Sequence, residues 1–375
     1  MHLELISRKF PGLSPYSKYF FILWFKKHGE AEVILSIQEL SQESGLSTKL
    51  VRKSIKELLD TGLLHRERNA KLKGYPDFTY HVKNIPAYLK AKKRFSSITE
   101  AERDDVQSIK NKLLDSMLEV EALNSLSIPQ KLLLIVLWVK SSDLGIIENT
   151  GVGKLAGAVG CSKDSVKRHL RALTDKNLLV VICKGFTAKN LFGVKDNIYL
   201  LNPPGNYPYF TSGVSQLSEK SNLIINEMRE VFARLKQQSF IDDELLGGLE
   251  ADFNNKPVAS YFLYWFWLHL FSRFGSFFHG EPMKPYLKLS IENLTAANEK
   301  LMAKSLFSKV LFKMWESEAP ILSELVKQVH GLVVKIGMEM HSQGFEQYSG
   351  AQQEKLTALL PDGAVYLKLD NAKSK

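Results

Sequence analysis

The stretch Ile37–Arg68, IQELSQESGLSTKLVRKSIKELLDTGLLHRER, decides how the chain folds. It reads as helix, tight turn, second helix and strand. Ser36 and Glu39 stand at capping-box spacing: the serine oxygen accepts the N3 amide and the glutamate reaches back to the cap amide, so a helix starts here. Gly45 follows where a left-handed turn residue is needed, and glycine has no Cβ to clash there. Ser47 can accept a backbone N–H and cap the second helix. Val51, Ile55 and Leu58 then fall at i, i+4 and i+7 and make one apolar face. Thr48 opens this helix, and Lys49, Arg52, Lys53 and Lys56 fall on its other faces. Thr61–Leu64 reads as the turn into a hairpin with strands at His65–Arg68 and Phe78–Val82. Arg66 and Arg68 lie on the first strand, and Lys71, Lys73 and Gly74 in the loop.

The same pattern returns at a shift of 115 positions. Leu40 falls on Leu155, Gly45 on Gly160, Ser47 on Ser162, Val51 on Val166, Ile55 on Leu170 and Leu58 on Leu173. Asp60 falls on Asp175, and Leu63 and Leu64 on Leu178 and Leu179. The preceding helix matches at a shift of 114: Pro15 on Pro129, Trp24 on Trp138, Lys26 on Lys140. A one-residue loop insertion accounts for the change. Apolar, turn and cap positions agree together, so the chain carries two copies of one unit. This is not the short-period array of a solenoid.

Charge gives the unit a direction. Residues 48–73 hold eight Lys/Arg against three Asp/Glu, and residues 163–189 hold seven against two. In the second copy the outward residues are Lys163, Asp164, Lys167, Arg168 and Arg171, with Lys184, Lys189 and Lys195 near the hairpin loop. A basic second helix followed by a basic hairpin is the electrostatic footprint of phosphate contact. Residues 1–210 carry 32 Lys/Arg and 21 Asp/Glu, a balance of +11, while residues 211–375 carry 18 and 19. The cationic surface therefore belongs to the first 210 residues, and the remainder has another task.

The arrangement resembles tandem winged helix-turn-helix DNA-binding proteins, in which the second helix enters the major groove. Two groups fit. STKLVRKSIKELLDTGLL is similar to the reading helix of bacterial winged-helix transcription regulators. DNIYLLNPPG, Asp196–Gly205, is similar to the close of winged-helix domains in plasmid and phage replication initiators. The likeness is at motif level, covers slightly over half the chain and none of the last 160 residues.

The resulting expectation is a mainly α chain with small β-wings. Residues 1–85 form the first winged-helix domain, 86–125 a linker and connecting helix, 126–205 the second winged-helix domain and 206–375 a helical C-terminal domain. In the first domain, residues 1–12 form a short arm, the first helix runs Ser14–Lys27 with Tyr19, Phe20, Leu23 and Trp24 in the core, and Ile34–Leu35 adds a short strand. Lys90, Lys92, Lys93 and Arg94 read either as a solvated linker or as a further phosphate contact. Thr99 and Glu102 cap a helix reaching about Leu123, with Val106, Ile109, Leu113, Met117 and Val120 on one stripe, a connecting helix or a dimer seam. The second domain has helices at Ile128–Lys140, Val152–Val159 and Lys163–Asp175 and wing strands at Leu178–Cys183 and Asn197–Leu201. Asn202–Phe210, with three prolines, is read as a boundary continuing neither strand nor helix.

From Ser218 onward the chain reads as mostly helical. Ser221–Gln238 is amphipathic. Tyr261–Phe278, YFLYWFWLHLFSRFGSFF, holds ten aromatics in 18 residues and is interrupted by His269 and Arg273. It is read as a central bundle helix, or alternatively as a self-association face; single-strand stacking fits poorly with the neutral balance here. Its apolar run is too short to span a bilayer. Asn298–Gln343 reads as two helices and the terminal DNAKSK as frayed.

Catalytic patterns are decoys. TGVGKLA, Thr150–Ala156, lacks the leading Gly and trailing Ser/Thr of a Walker A loop; Glu148 and Leu155 stand there. Nine scattered histidines give neither H-x-H nor H-E-x-x-H, so no metal site is expected. Asp242, Asp243 and Glu244 read as a helix N-terminus. Two cysteines, Cys161 and Cys183, do not make a disulfide framework, and Cys161 replaces Leu46 as an apolar residue. MHLELISRKF has no signal-peptide apolar core. The expectation is a cytoplasmic, nucleoid-associated protein without enzymatic activity or cofactor. It binds double-stranded DNA as a sequence-specific transcription regulator and forms a homodimer through its last domain, without a membrane. A replication initiator binding origin repeats is the second reading, and a winged-helix protein-interaction scaffold the third.

Overall fold

A capped, proline-started helix opens the first copy of the repeat. In the computed structural model this is α1, Pro15–His28: Ser14 accepts the Ser17 amide, and Lys26, Lys27 and His28 sit in the last turn where the helix dipole favours cations. The residues described are 6–68, 78–83, 121–141, 145–201, 209–213, 215–237, 243–274, 296–317, 319–342, 354–359 and 364–369. Lys71, Lys73, the cluster Lys90–Arg94, the helix expected from Thr99 through Val120, and the tail lie outside them. The chain divides into two compact units, Met1–Val180 with Leu200–Tyr207, and Val181–Tyr199 with Pro208–Lys375. The division falls within the second copy's own strands, after Val180 and after Tyr199, and again between Tyr207 and Pro208 in the proline-rich stretch read as a boundary. It is a mainly helical protein with small antiparallel sheets, and no helix among the described residues is long and apolar enough to cross a membrane.

In the first unit, α2 (Ile37–Ser44) starts with the full capping box: Glu39 N donates to Ser36 Oγ at 3.2 Å and Ser36 N to Glu39 Oε2 at 2.7 Å. Gly45 has φ 64°. A Cβ there would meet nothing within 4 Å, so backbone conformation alone asks for glycine. Helix α3 (Thr48–Asp60) is capped by Ser47 and buries Val51, Ser54, Ile55 and Leu58. Strands β1 (Leu64–Arg68) and β2 (Phe78–Val82) pair antiparallel, Leu64 opposite Val82 and Arg66 opposite Tyr80. The strand expected at Ile34–Leu35 is replaced by a single bridge, Val33 to Tyr80, and Ile34 faces outward.

The second copy repeats these lengths. Helix α4 (Ile128–Lys140) has Ser127 and Gln130 as its capping box. Leu132–Trp138 are all buried, so α4 is a core helix on every side. Where the connecting helix is expected to reach Leu123, the described residues 121–125 form a 3-10 turn, Glu121–Ser125. Strand β3 is Ile146–Ile147; α5 (Val152–Val159) and α6 (Lys163–Asp175) match α2 and α3 residue for residue in length. Strands β4 (Leu179–Cys183), β5 (Phe186–Ala188), β6 (Gly193–Lys195) and β7 (Ile198–Leu201) follow, β3-β7-β4 forming one sheet and β5-β6 a separate hairpin.

Helix α1 packs on α3 and on α4. The expected arm at residues 1–12 is anchored in the core by Ile6 and Phe10, which are buried, as is Leu13 after it. Gly160 (φ 81°) has a second reason to be glycine, because a Cβ would lie 2.8 Å from Leu13 O. Lys18, 2% exposed, donates to the carbonyls of Ile6 and Arg8 at 2.6 Å each and to that of Ala158 on α5, and its ammonium stands 5.4 Å from the Phe10 ring centre.

The second unit is built on α7 (Ser215–Lys236), α8 (Asp243–Phe253), α9 (Lys256–Phe274), α10 (Ala296–Leu306), α11 (Lys309–Glu316) and α12 (Pro320–Ser342). Helix α12 packs against α7, α9, α10 and α11. Phe262, Tyr264, Trp265, Phe266 and Trp267 of α9 are buried in the unit, with Trp267 Nε1 donating to Ser221 Oγ at 3.2 Å. Burial takes these rings out of any self-association face and makes α9 the bundle's central helix. Three helices, not two, fill the stretch after Asn298, because Ser308 caps a new helix and Pro320 starts another. The region is also not wholly helical. Strands β8 (Tyr209–Gly213), β9 (Glu354–Leu359) and β10 (Ala364–Leu369) form an antiparallel sheet with β10 in the middle. Tyr209 and Phe210, read as boundary, begin β8.

Candidate nucleic-acid interface

On α3 the buried stripe turns the cations outward: Thr48, Lys49, Arg52, Lys53 and Lys56 are all exposed. On α6, Val166, Leu170 and Leu173 are buried while Lys163, Asp164, Lys167, Arg168 and Arg171 are exposed. The apolar period that anchors each helix therefore fixes its basic face. Among the described residues neither Arg52 nor Arg168 pairs with a carboxylate.

Local contacts differ between the two helices. Lys53 lies 3.8 Å from Glu57 Oε1, while Glu57 Oε2 accepts the Ser14 amide at 2.8 Å. Burial alone would raise the Glu57 carboxyl. Hydrogen bonds from Ser14 and Ser17, with the Lys53 charge, outweigh it and hold that carboxyl below its ordinary value. On α6, Arg168 Nη2 donates to Ser165 Oγ at 3.2 Å, and Ser162 Oγ donates to Ser165 Oγ at 3.0 Å. Lys167 lies 3.6 Å from Asp164. His169 is held below its usual value, first by partial burial and then by the Arg168 charge.

The first hairpin presents Arg66 and Arg68 to solvent, and the Arg66 guanidinium lies 4.7 Å from the Phe78 ring centre, a cation–π contact that extends the side chain along β2. Its other charges are mixed: His81 stands 3.6 Å from Glu32 and 4.0 Å from Glu67, and His65 3.9 Å from Glu67.

The second hairpin is different in kind. Lys184 and Lys189 are exposed as expected, but the inward face of β5-β6 belongs to the helical unit. Ala188, Leu191 and Phe192 are buried among its core residues. Asp252 of α8 accepts the amides of Asn190 at 2.8 Å and Leu191 at 3.1 Å, Phe192 N donates to Leu306 O at 3.1 Å, and Ser308 N to Asn190 O at 3.2 Å. Lys195 lies over the Tyr261 ring at 5.2 Å. The sequence carries only a fragment of this: Phe186 and Ala188 alternate with Thr187 and Lys189 as one apolar face, and no nearby residue shows what covers it.

Ser165, three residues before Arg168, holds that guanidinium through its hydroxyl, and the spacing is the sequence's signal for the contact. Cys161 departs from expectation in being only half-buried, which raises its thiol through desolvation; Cys183 is buried and its Sγ donates to Ser260 O at 3.7 Å, and neither forms a disulfide among the described residues. In the Walker-like stretch, Gly151 caps α5 and Lys154 donates to Asn149 O at 2.8 Å, a local helix start. Asp243 and Glu244 occupy the first turn of α8. No protein-family model matches the chain, and no curated protein matches it.

Proposed function

We propose that this chain is a sequence-specific double-stranded DNA-binding transcription regulator, in which α3 and α6 are the reading helices of two tandem winged helix-turn-helix domains. One observation carries the reading: two 13-residue helices, each held by a buried apolar stripe, each turn an exposed basic face outward. Arg52 and Arg168 are the candidate base contacts, because guanidinium matches guanine O6 and N7. The lysines around them and Arg171 supply phosphate contacts. The first hairpin, with Arg66 stacked on Phe78, touches phosphate or the adjacent minor groove.

Counterion release gives the test. With six or more phosphate contacts, affinity for duplex DNA falls by roughly a thousandfold between 50 and 200 mM salt. Fluorescence anisotropy of a labelled duplex across that range measures it. An affinity that stays flat with salt, or no binding at 50 mM, would overturn the proposal and favour a protein-interaction role.

A further inference from the structure

The two reading helices have equal length and equivalent serine caps, yet equivalent positions carry different chemistry. At the shift of 115, Lys49 and Lys53 of α3 correspond to Asp164 and Arg168 of α6, and Arg52 corresponds to Lys167. Residues four apart share a helix face. The first copy therefore puts two point cations where the second puts a carboxylate and a guanidinium.

These pairs suit different tasks. Lysine is a compact, strongly hydrated charge with freely rotating donors, well matched to phosphate, whereas arginine's planar fork matches the guanine edge. Arg168 is also tethered, through Ser165 Oγ and Ser162 Oγ, to the cap of its own helix. That restraint reduces the rotamer entropy lost on binding. Arg52 has no such tether among the described residues.

Asp164 is the more telling residue. Its side chain is 88% exposed, with Lys167 at 3.6 Å as its ion-pair partner among the described residues. The helix dipole alone accounts for a carboxylate in the first turn. Against a polyanion, though, that carboxylate is repelled unless it meets an amino donor in the groove, and cytosine N4 is the usual partner of an acidic side chain. The corresponding residue in the first copy, Lys49, carries no such restriction.

We infer that base discrimination is concentrated in α6, with Asp164 and Arg168 reading a cytosine and a guanine, while α3 contributes sequence-independent phosphate contacts, Arg52 included. The inference rests on the DNA-binding reading above and refines it by moving Arg52, there a candidate base contact, to the phosphate contacts and leaving Arg168 as the guanine reader.

The test uses the full chain and two duplexes of equal length, one recovered from genomic fragments by the wild type and one of random sequence, titrated by anisotropy at several salt concentrations. Arg168→Lys keeps the charge and removes the fork. It lowers affinity for the selected duplex by roughly five- to a hundredfold and leaves the random duplex within about twofold. Asp164→Asn raises random-duplex affinity and narrows the selected-to-random ratio. Arg52→Ala lowers both affinities by one factor and reduces the salt slope by about one. The inference is overturned if Arg52→Ala narrows the ratio more than Arg168→Lys does, if the α6 variants weaken both duplexes equally, or if the wild type binds both alike. A wild type without salt-dependent affinity for either duplex overturns the DNA-binding reading itself, and the inference with it.

Discussion

Lys18 is a buried cation surrounded by carbonyl dipoles, with no carboxylate partner among the described residues. Burial, reinforced by the Lys140 charge, pushes its pKa from 10.5 down to about 7. The three carbonyls favour the ammonium and pull the other way. The unfolded chain keeps this proton to about 10.5 and the native chain releases it near 7. The unfolded state thus binds more protons across that window, and stability rises with pH there. Below pH 7 the full cost of the buried charge is present. The unfolding free energy of the wild type from urea titration should rise from pH 7 toward pH 10, by up to about 1.4 kcal/mol per pH unit, and Lys18→Met should lose that part of the rise. Parallel pH curves for the two proteins would show that Lys18 titrates as an ordinary lysine. The slope is the readout because Met also leaves three carbonyls unpaired, which shifts the level.

At the scale of elements, helix ends were readable and the second hairpin was not. Ser36 and Ser47, and Ser162 through the repeat, declare helix starts because a cap bond closes within three residues of the chain. The β5-β6 hairpin depends instead on Asp252, more than 60 residues later, and on core residues later still. Asp252→Ala should leave two hairpin amides without an acceptor, at about 1–3 kcal/mol. Limited proteolysis should then cut within 184–196 faster than in the wild type. Unchanged cutting there would mean that the apolar face of Leu191 and Phe192 holds the hairpin without the aspartate. The same hairpin alters the meaning of Lys184 and Lys189: they decorate a segment anchored in the helical unit, not a free wing.

For the whole molecule, the helical unit borrows part of its core from residues that precede it by sequence. Ala188, Leu191 and Phe192 fill positions among Leu246, Phe262 and Phe307. A fragment beginning at Pro208 lacks all three. Losing that much buried apolar surface costs about 5–10 kcal/mol, comparable to a typical domain's margin. The fragment should therefore melt without a cooperative transition by circular dichroism, whereas one beginning at Val181 should retain it. Equal melts would show that the bundle closes without the hairpin.

The amino-acid order alone determined the repeat, the six helices of its two copies, their caps and the outward direction of their basic faces. Each of these follows from bonds and periodicities spanning a few residues, and an amphipathic helix must turn its apolar stripe inward whatever it meets there. Only the tertiary structure decided that the N-terminal arm is anchored in the core, that Lys18 is buried beneath it, that the second hairpin plugs into the helical bundle, and that β8 pairs with β10 some 150 residues on. Those outcomes depend on partners far away in the chain. A local pattern shows that a face needs covering, but which distant surface covers it is settled by packing.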